Sequence, residues 1–209
     1  MRVYKFLDAK YGMKSLAEKR LRISRFDDLN DPFELIPYNL KNRKHRWALR
    51  AMRSQLGQNR GMLCFSATWR DPVLWAHYAE KHHGLCIEFE LPEGNEQFHE
   101  VDYVRYRLPF PKSPTIADTK IILFTKCDSW KYEQEIRVFL ALSDEEDGLY
   151  FKDFDQTLRP VTVIVGARCK LSKKDITKVL GPLAKQVKVI KARAGFTKFE
   201  IVQDKGGFQ

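Results

Sequence analysis

The sequence predicts an α+β (mixed α/β) fold for residues 1–209, one domain built on a central, mainly antiparallel or split sheet with flanking helices. Three observations carry this expectation. Short runs with two-residue alternation recur along the chain, amphipathic runs of helical period stand between them, and no repeat, low-complexity stretch or long linker divides the whole. With 209 residues, 44% hydrophobic and 12% aromatic, the chain can bury a sizeable core without metals or disulfides.

Taken in order, residues 3–7 read as a strand, 11–19 as a helix and 21–24 as a second strand, an opening β-α-β unit. Asp27 to Glu34 is rich in turn formers and holds Pro32, so a structured loop is expected there, with Asn30 bonding backbone and Phe33 anchoring it in the core. Residues 41–60 hold seven Lys or Arg and no acid, while Leu49, Met52 and Leu56 recur at helical spacing, predicting a basic amphipathic helix. Residues 61–66 form a buried strand, and 72–81 a helix with Asp71 as cap and Pro72 in its first turn.

Residues 85–91 alternate cleanly and predict a half-buried strand; 101–106 alternate too, and the prolines of 108–115 mark a loop. A helix is expected over 116–126, a strand over 136–140, a turn over 144–148 and the most apolar strand over 161–166. A helix over 172–186, capped by Ser172 ahead of Asp175, precedes strands at 187–190 and 199–202.

The four cysteines stand singly, without the close pairs of zinc or redox motifs, and read as buried free thiols. No apolar run is long enough to span a membrane and the first residues lack a signal-peptide pattern, so a cytoplasmic protein with no membrane partner is expected. The net charge of +10 favours acidic partners such as nucleic acid or a phosphate-bearing cofactor. Arg43, Arg46, Arg50 and Arg53 fall on one helical stripe that suits a phosphate backbone or a plain solvated face, and residues 168–205 add eleven basic residues against three acids.

Acid chemistry centres on Trp130-Lys131-Tyr132-Glu133-Gln134-Glu135-Ile136-Arg137. Glu133 and Glu135 either serve as paired carboxylates or pair with Lys131 and Arg137 on a sheet edge. Asn30, Asp31 and Glu34 offer a second polar cluster; the triplet Glu88-Phe89-Glu90 lies within an alternating strand, where both acids share the solvent face. His77, His82 and His83 lack metal-site spacing, so no metal is expected, and Ser66 lacks the elbow that would present a nucleophile.

Several segments together carry a resemblance over nearly the whole chain: Tyr4-Lys5-Phe6, Asn30-Asp31-Pro32-Phe33-Glu34, Cys64-Phe65-Ser66, Leu74 to Ala79, His83 to Phe89, and Trp130 to Arg137. The chain resembles a bacterial family known only as domain of unknown function 2971. The order of its elements is also similar to the ADP-ribosyltransferase superfamily, which splits NAD and passes ADP-ribose to an acceptor. That second likeness implies NAD as substrate, with Arg2 or Lys5 on the first strand touching it. It implies Ser66-Ala67-Thr68 as a bracing strand whose central hydroxyl is lost at Ala67, Trp75, His77 and Tyr78 beside nicotinamide, and Glu133 and Glu135 as catalytic carboxylates. It also implies a role in bacterial conflict, as a toxin or phage-defence effector acting on nucleic acid or a target protein. Two other functions fit the same residues: a non-enzymatic nucleic-acid-binding module, and a metal-dependent nuclease using Asp31, Glu34, Glu133 and Glu135.

Overall fold

The computed structural model describes residues 1–92, 94 and 97–208. The chain divides into two compact units, the first made of Met1–Arg22, Phe65–Asn95 and Phe151–Gln209, the second of Ile23–Cys64 and Glu96–Tyr150. The class is mixed α/β, with mostly antiparallel strand pairs and interspersed helices. Among the described residues no helix is long and apolar enough to cross a membrane.

In the first unit, strand β1 (Arg2–Leu7) lies antiparallel to β4 (Leu85–Glu90), with Val3 opposite Phe89. β4 in turn pairs antiparallel with β10 (Arg159–Val165). The next pair, β10 and β11 (Lys188–Ala194), is parallel, because helix α5 (Lys173–Leu180) carries the chain across, and β12 (Ile201–Gln203) closes that edge antiparallel to β11. Strand β2 (Arg20–Ile23) pairs separately with β9 (Tyr150–Asp153), a short strand that the residue pattern does not announce. Leu85, Cys86, Ile87 and Phe89 of β4 are all fully buried, so this central strand is covered more completely than its alternation implies.

Helix α1 (Ala9–Glu18) starts where Asp8 accepts a hydrogen bond from the Tyr11 amide at 2.7 Å. The expected cap of α5 is present, Ser172 and Asp175 bonding each other's backbone amides. Two helices of this unit are shorter than their sequence pattern. Helix α3 (Pro72–Tyr78) stops before residue 81 because Glu80, Lys81 and His82 take φ of 49°, 53° and 73°. That turn delivers Gly84 against the Leu7 carbonyl, so closely that a Cβ there would lie 2.2 Å from the oxygen. α5 ends at Leu180 rather than 186, since Gly181 has φ 54° and Pro182 follows.

In the second unit, β3 (Arg60–Ser66, of which residues 60–64 fall here), β8 (Glu135–Ala141) and β5 (Phe98–Glu100) lie side by side in that order. β5 and β8 run antiparallel, Glu100 opposite Ile136. Helix α2 (Arg43–Asn59), capped by Asn42, and helix α4 (Ile116–Phe124) bury Leu49, Ile122 and Leu123 with Phe26, Leu35, Tyr38 and Met62. The expected helix over 116–126 ends two residues early: β-branched Thr125 opens β7 (Thr125–Cys127), which pairs in parallel with β6 (Asp102–Val104), Tyr103 opposite Lys126. This register carries Lys126 inward.

Candidate functional site

Five charged side chains of the second unit meet in its interior: Glu34, Lys126, Glu133, Glu135 and Arg137, all buried. Each is placed by a local device. The Asp31 carboxylate accepts from the Phe33 amide at 2.9 Å and the Asp31 carbonyl from the Glu34 amide at 3.0 Å, so the Asn-Asp-Pro segment turns Glu34 inward. Leu35 follows with φ 59° and is fully buried, whereas Phe33 is 58% exposed; the loop is anchored by Leu35, not by Phe33 as the pattern suggests. A 3₁₀ turn, Asp128–Glu133, ends at Gln134 with φ 43°, and β8 begins at Glu135, one residue ahead of the strand expected over 136–140. The left-handed residue between them lets Glu133 and Glu135 converge instead of diverging.

The Lys126 ammonium lies 3.0 Å from Glu34, 2.6 Å from Glu133 and 3.1 Å from Glu135, and 4.9 Å from the centre of the Trp130 ring. Arg137 donates from Nε to Glu135 Oε1 at 2.7 Å, from one terminal nitrogen to both Glu34 oxygens at 2.8 and 2.9 Å, and from the other to the Leu123 carbonyl at 2.9 Å. The alternative pairing of the two glutamates is therefore realised with a changed cation. Arg137 takes part, Lys126 stands where Lys131 was expected, and the pairs are buried rather than on a sheet edge; Lys131 is exposed. Behind them the Tyr103 hydroxyl accepts from the Glu135 amide at 2.8 Å.

Burial alone would push Glu135 up, but the Arg137 charge and hydrogen bonds, Lys126 and the Cys64 thiol hold it down at about 2. Burial pulls Lys126 down, and the carboxylates of Glu135, Glu34 and Glu133 outweigh it, raising its pKa above the ordinary lysine range. Arg137 is raised in the same way by Glu135 and Glu34 against its burial, and burial pushes the Tyr103 phenol up to about 12. Three carboxylates against two cations leave the cluster one formal negative charge.

A pH dependence follows. Because folding lowers the Glu135 pKa from 4.5 to about 2, its stabilising contribution is complete above the higher value and is lost as pH falls through the lower one. Urea midpoints measured from pH 6 to pH 2.5 should fall over the acid part of this range and fall less steeply in Glu135→Gln; parallel curves would show that Glu135 is not the group that titrates.

Lys126 also forms part of the wall of a cavity of about 170 Å³, together with Phe33, Pro37, Arg105, Tyr106 and Cys127. Arg107, on the same wall, donates to the Ile36 and Tyr38 carbonyls at 3.1 and 3.2 Å and lies 5.4 Å from the Phe33 ring centre. It thereby fixes the loop that carries Glu34.

The other expected ligand-binding residues lie in the first unit. Arg2 pairs with Glu90 at 3.0 Å and Glu88 at 3.7 Å, so both acids of the Glu88-Phe89-Glu90 triplet on β4 are paired with a cation of the neighbouring strand β1, on which Lys5 sits half-buried. Ser66 is buried and accepts from the Thr68 amide at 3.1 Å. Trp75 is 0% exposed, edge-on to Phe6, and donates to the Trp69 carbonyl at 2.6 Å, whereas His77 is exposed and 6.0 Å from the half-buried Tyr78 ring.

The structure thus brings Glu133 and Glu135 together with Glu34, and adds Lys126, Tyr103 and Cys64, none of which the sequence reading singled out for the site. The signal for Lys126 was a lone cation ending the apolar run 121–125. Cys64 and Cys127 are half-buried; only Cys86 and Cys169 are the buried thiols expected, and all four are free. Among the described residues no group of three or more His, Cys, Asp or Glu is arranged to hold a metal ion. The three convergent glutamates close on Lys126 and Arg137 instead.

None of the curated proteins and none of the solved structures compared matches the chain. Residues 74–138, the stretch holding Lys126, Glu133, Glu135 and Arg137, match the model described as Protein of unknown function (DUF2971), so this part of the chain is similar to that family.

Proposed function

We propose that the second unit binds NAD and transfers its ADP-ribose to an acceptor, with the pyrophosphate-bearing part of the ligand held at the Lys126 cavity. The observation that supports this reading is the double position of Lys126, which lines the cavity and at the same time bridges the Glu133 and Glu135 carboxylates. Arg105 supplies a second cation, and Phe33 and Tyr106, 58% and 76% exposed, supply aromatic surface for a planar ring. The cavity is smaller than the roughly 300–1,000 Å³ of pockets that enclose a drug-sized molecule, so it takes one part of the dinucleotide and the exposed rim takes the rest.

In the reaction the bond between ribose C1′ and the nicotinamide nitrogen breaks and its electron pair leaves with nicotinamide. The resulting oxocarbenium-like ribose is stabilised by a fixed carboxylate, and the acceptor forms the new bond at C1′ while losing its proton to a base. Glu135, kept ionised by Arg137, has the charge for the first role and Glu133 has the place for the second. Both Glu135 oxygens are already bonded, so direct contact with the ribose requires the ligand to replace the Lys126 ammonium on Oε2. Such an enzyme works where NAD is abundant, in the cytoplasm, and a toxin or phage-defence role belongs to the same reading.

Binding can be checked apart from catalysis. Calorimetric titration with NAD should give a saturable isotherm for the parent chain and an affinity lowered about tenfold in Arg105→Ala and in Tyr106→Ala, whose side chains are exposed. Equal affinities in all three would place the ligand elsewhere.

A further inference from the structure

We infer that helix α2 carries a second site, independent of the NAD reading, in which single-stranded nucleic acid stacks a base on Trp47 and seats a phosphate among Arg25, Arg50 and Arg53. Trp47 is 75% exposed, on the side of the helix opposite Met52, Leu49 and Leu56, which turn toward the core. A large aromatic on the outer face of a soluble helix has no packing reason to be there. Its helical neighbours one turn away on either side are Arg43 and Arg50, and Ser54 lies two turns on.

Beside this face the helix and the 3₁₀ turn Phe26–Asp28 enclose a cavity of about 320 Å³, lined by Arg25, Phe26, Asp27, Arg50, Arg53 and Ser54. Three guanidinium-bearing residues line it against one carboxylate. The Arg53 Nε is buried with no hydrogen-bond partner, a donor that folding has desolvated without compensation. A phosphate oxygen would satisfy it.

The arginine stripe expected from spacing is real in outline, since Arg43, Arg46 and Arg50 are exposed and Arg53 half-buried. One member is diverted: Arg46 donates to the Leu40 and Lys41 carbonyls at 2.7 and 2.9 Å, closing the approach to the helix. Of the others, Arg50 and Arg53 gather with Arg25 at the cavity rather than forming an even row with Arg43. An aromatic next to a phosphate seat suits splayed bases, because a base inside a duplex is already stacked and offers no free face. The absence of any acid from residues 41–60 keeps the surrounding surface attractive to the polyanion.

The test is fluorescence anisotropy with a labelled twelve-nucleotide single strand and the matching duplex, on the full chain and folded variants. The parent should bind the single strand at least tenfold tighter than the duplex. Trp47→Ala should weaken single-strand binding about tenfold and Trp47→Phe should restore most of it. Arg50→Ala with Arg53→Ala should weaken it about tenfold and reduce the salt slope by about two, while Arg46→Ala leaves both nearly unchanged. No binding by the folded parent, a duplex bound as tightly as the single strand, or a neutral Trp47→Ala would each overturn the site.

Discussion

Replacing Arg137 by Met should destabilise the second unit by about 3–5 kcal/mol, because it strands buried carboxylates without their main partner. Arg137 is 0% exposed and satisfies both oxygens of Glu34, both of Glu135 and the Leu123 carbonyl at once. Met fills the volume and supplies no donor. Lys126 then faces three glutamates alone, and on folding the surplus charge must be left unpaired or a carboxylate must take up a proton. Arg137→Lys keeps the charge but not the planar fork, so it should fall between the parent and Arg137→Met. Urea unfolding of the three proteins measures this, and a loss under about 1 kcal/mol for Arg137→Met would mean that the cluster relaxes into water and is not the frame described above.

The elements best foretold by the residues are those whose local signals agree. Helix α5 begins at the Ser172 to Asp175 capping box, α3 begins at Asp71 and Pro72, and β8 starts at Glu135 as the run Ile136 to Leu140 suggests. Misreadings fall where tertiary contact overrode a local pattern. Thr125 and Lys126 continue an apolar helical run, yet pairing with β6 converts them to strand. Residues 80 and 81 continue the expected helix, but Gly84 must reach the Leu7 carbonyl, and positive φ angles at 80–82 break the helix first.

At the site, Glu133 and Glu135 were legible because they are neighbours in sequence with an aromatic and cationic frame. Their partnership with Glu34, which is 99 residues before Glu133, was not, since no local spacing encodes a contact of that range. Lys126 was hidden for the opposite reason: a solitary lysine looks like surface, and only the convergence of three carboxylates makes its burial affordable. On α2 the stripe was legible from spacing, and the diversion of Arg46 to backbone carbonyls was not.

The second large effect is catalytic. Glu135→Gln preserves shape and some hydrogen bonding but removes the charge that a ribosyl cation would need, so nicotinamide release should fall by about a hundredfold or more. Glu133→Gln should separate the two halves of the reaction: water still traps the cation, so NAD hydrolysis persists while transfer to an acceptor falls. Both changes also touch the ion-pair network, so melting temperatures must accompany the rates; a glutamine that merely loosens the cluster lowers stability without a selective loss of turnover. The measurement that bears most directly on the proposed function is therefore nicotinamide release from NAD by the parent, Glu135→Gln and Glu133→Gln proteins under conditions where all three are folded. The account predicts release by the parent, a loss of about a hundredfold or more with Glu135→Gln, and retained hydrolysis with Glu133→Gln. Release unchanged by Glu135→Gln, or none from a folded parent, would contradict it.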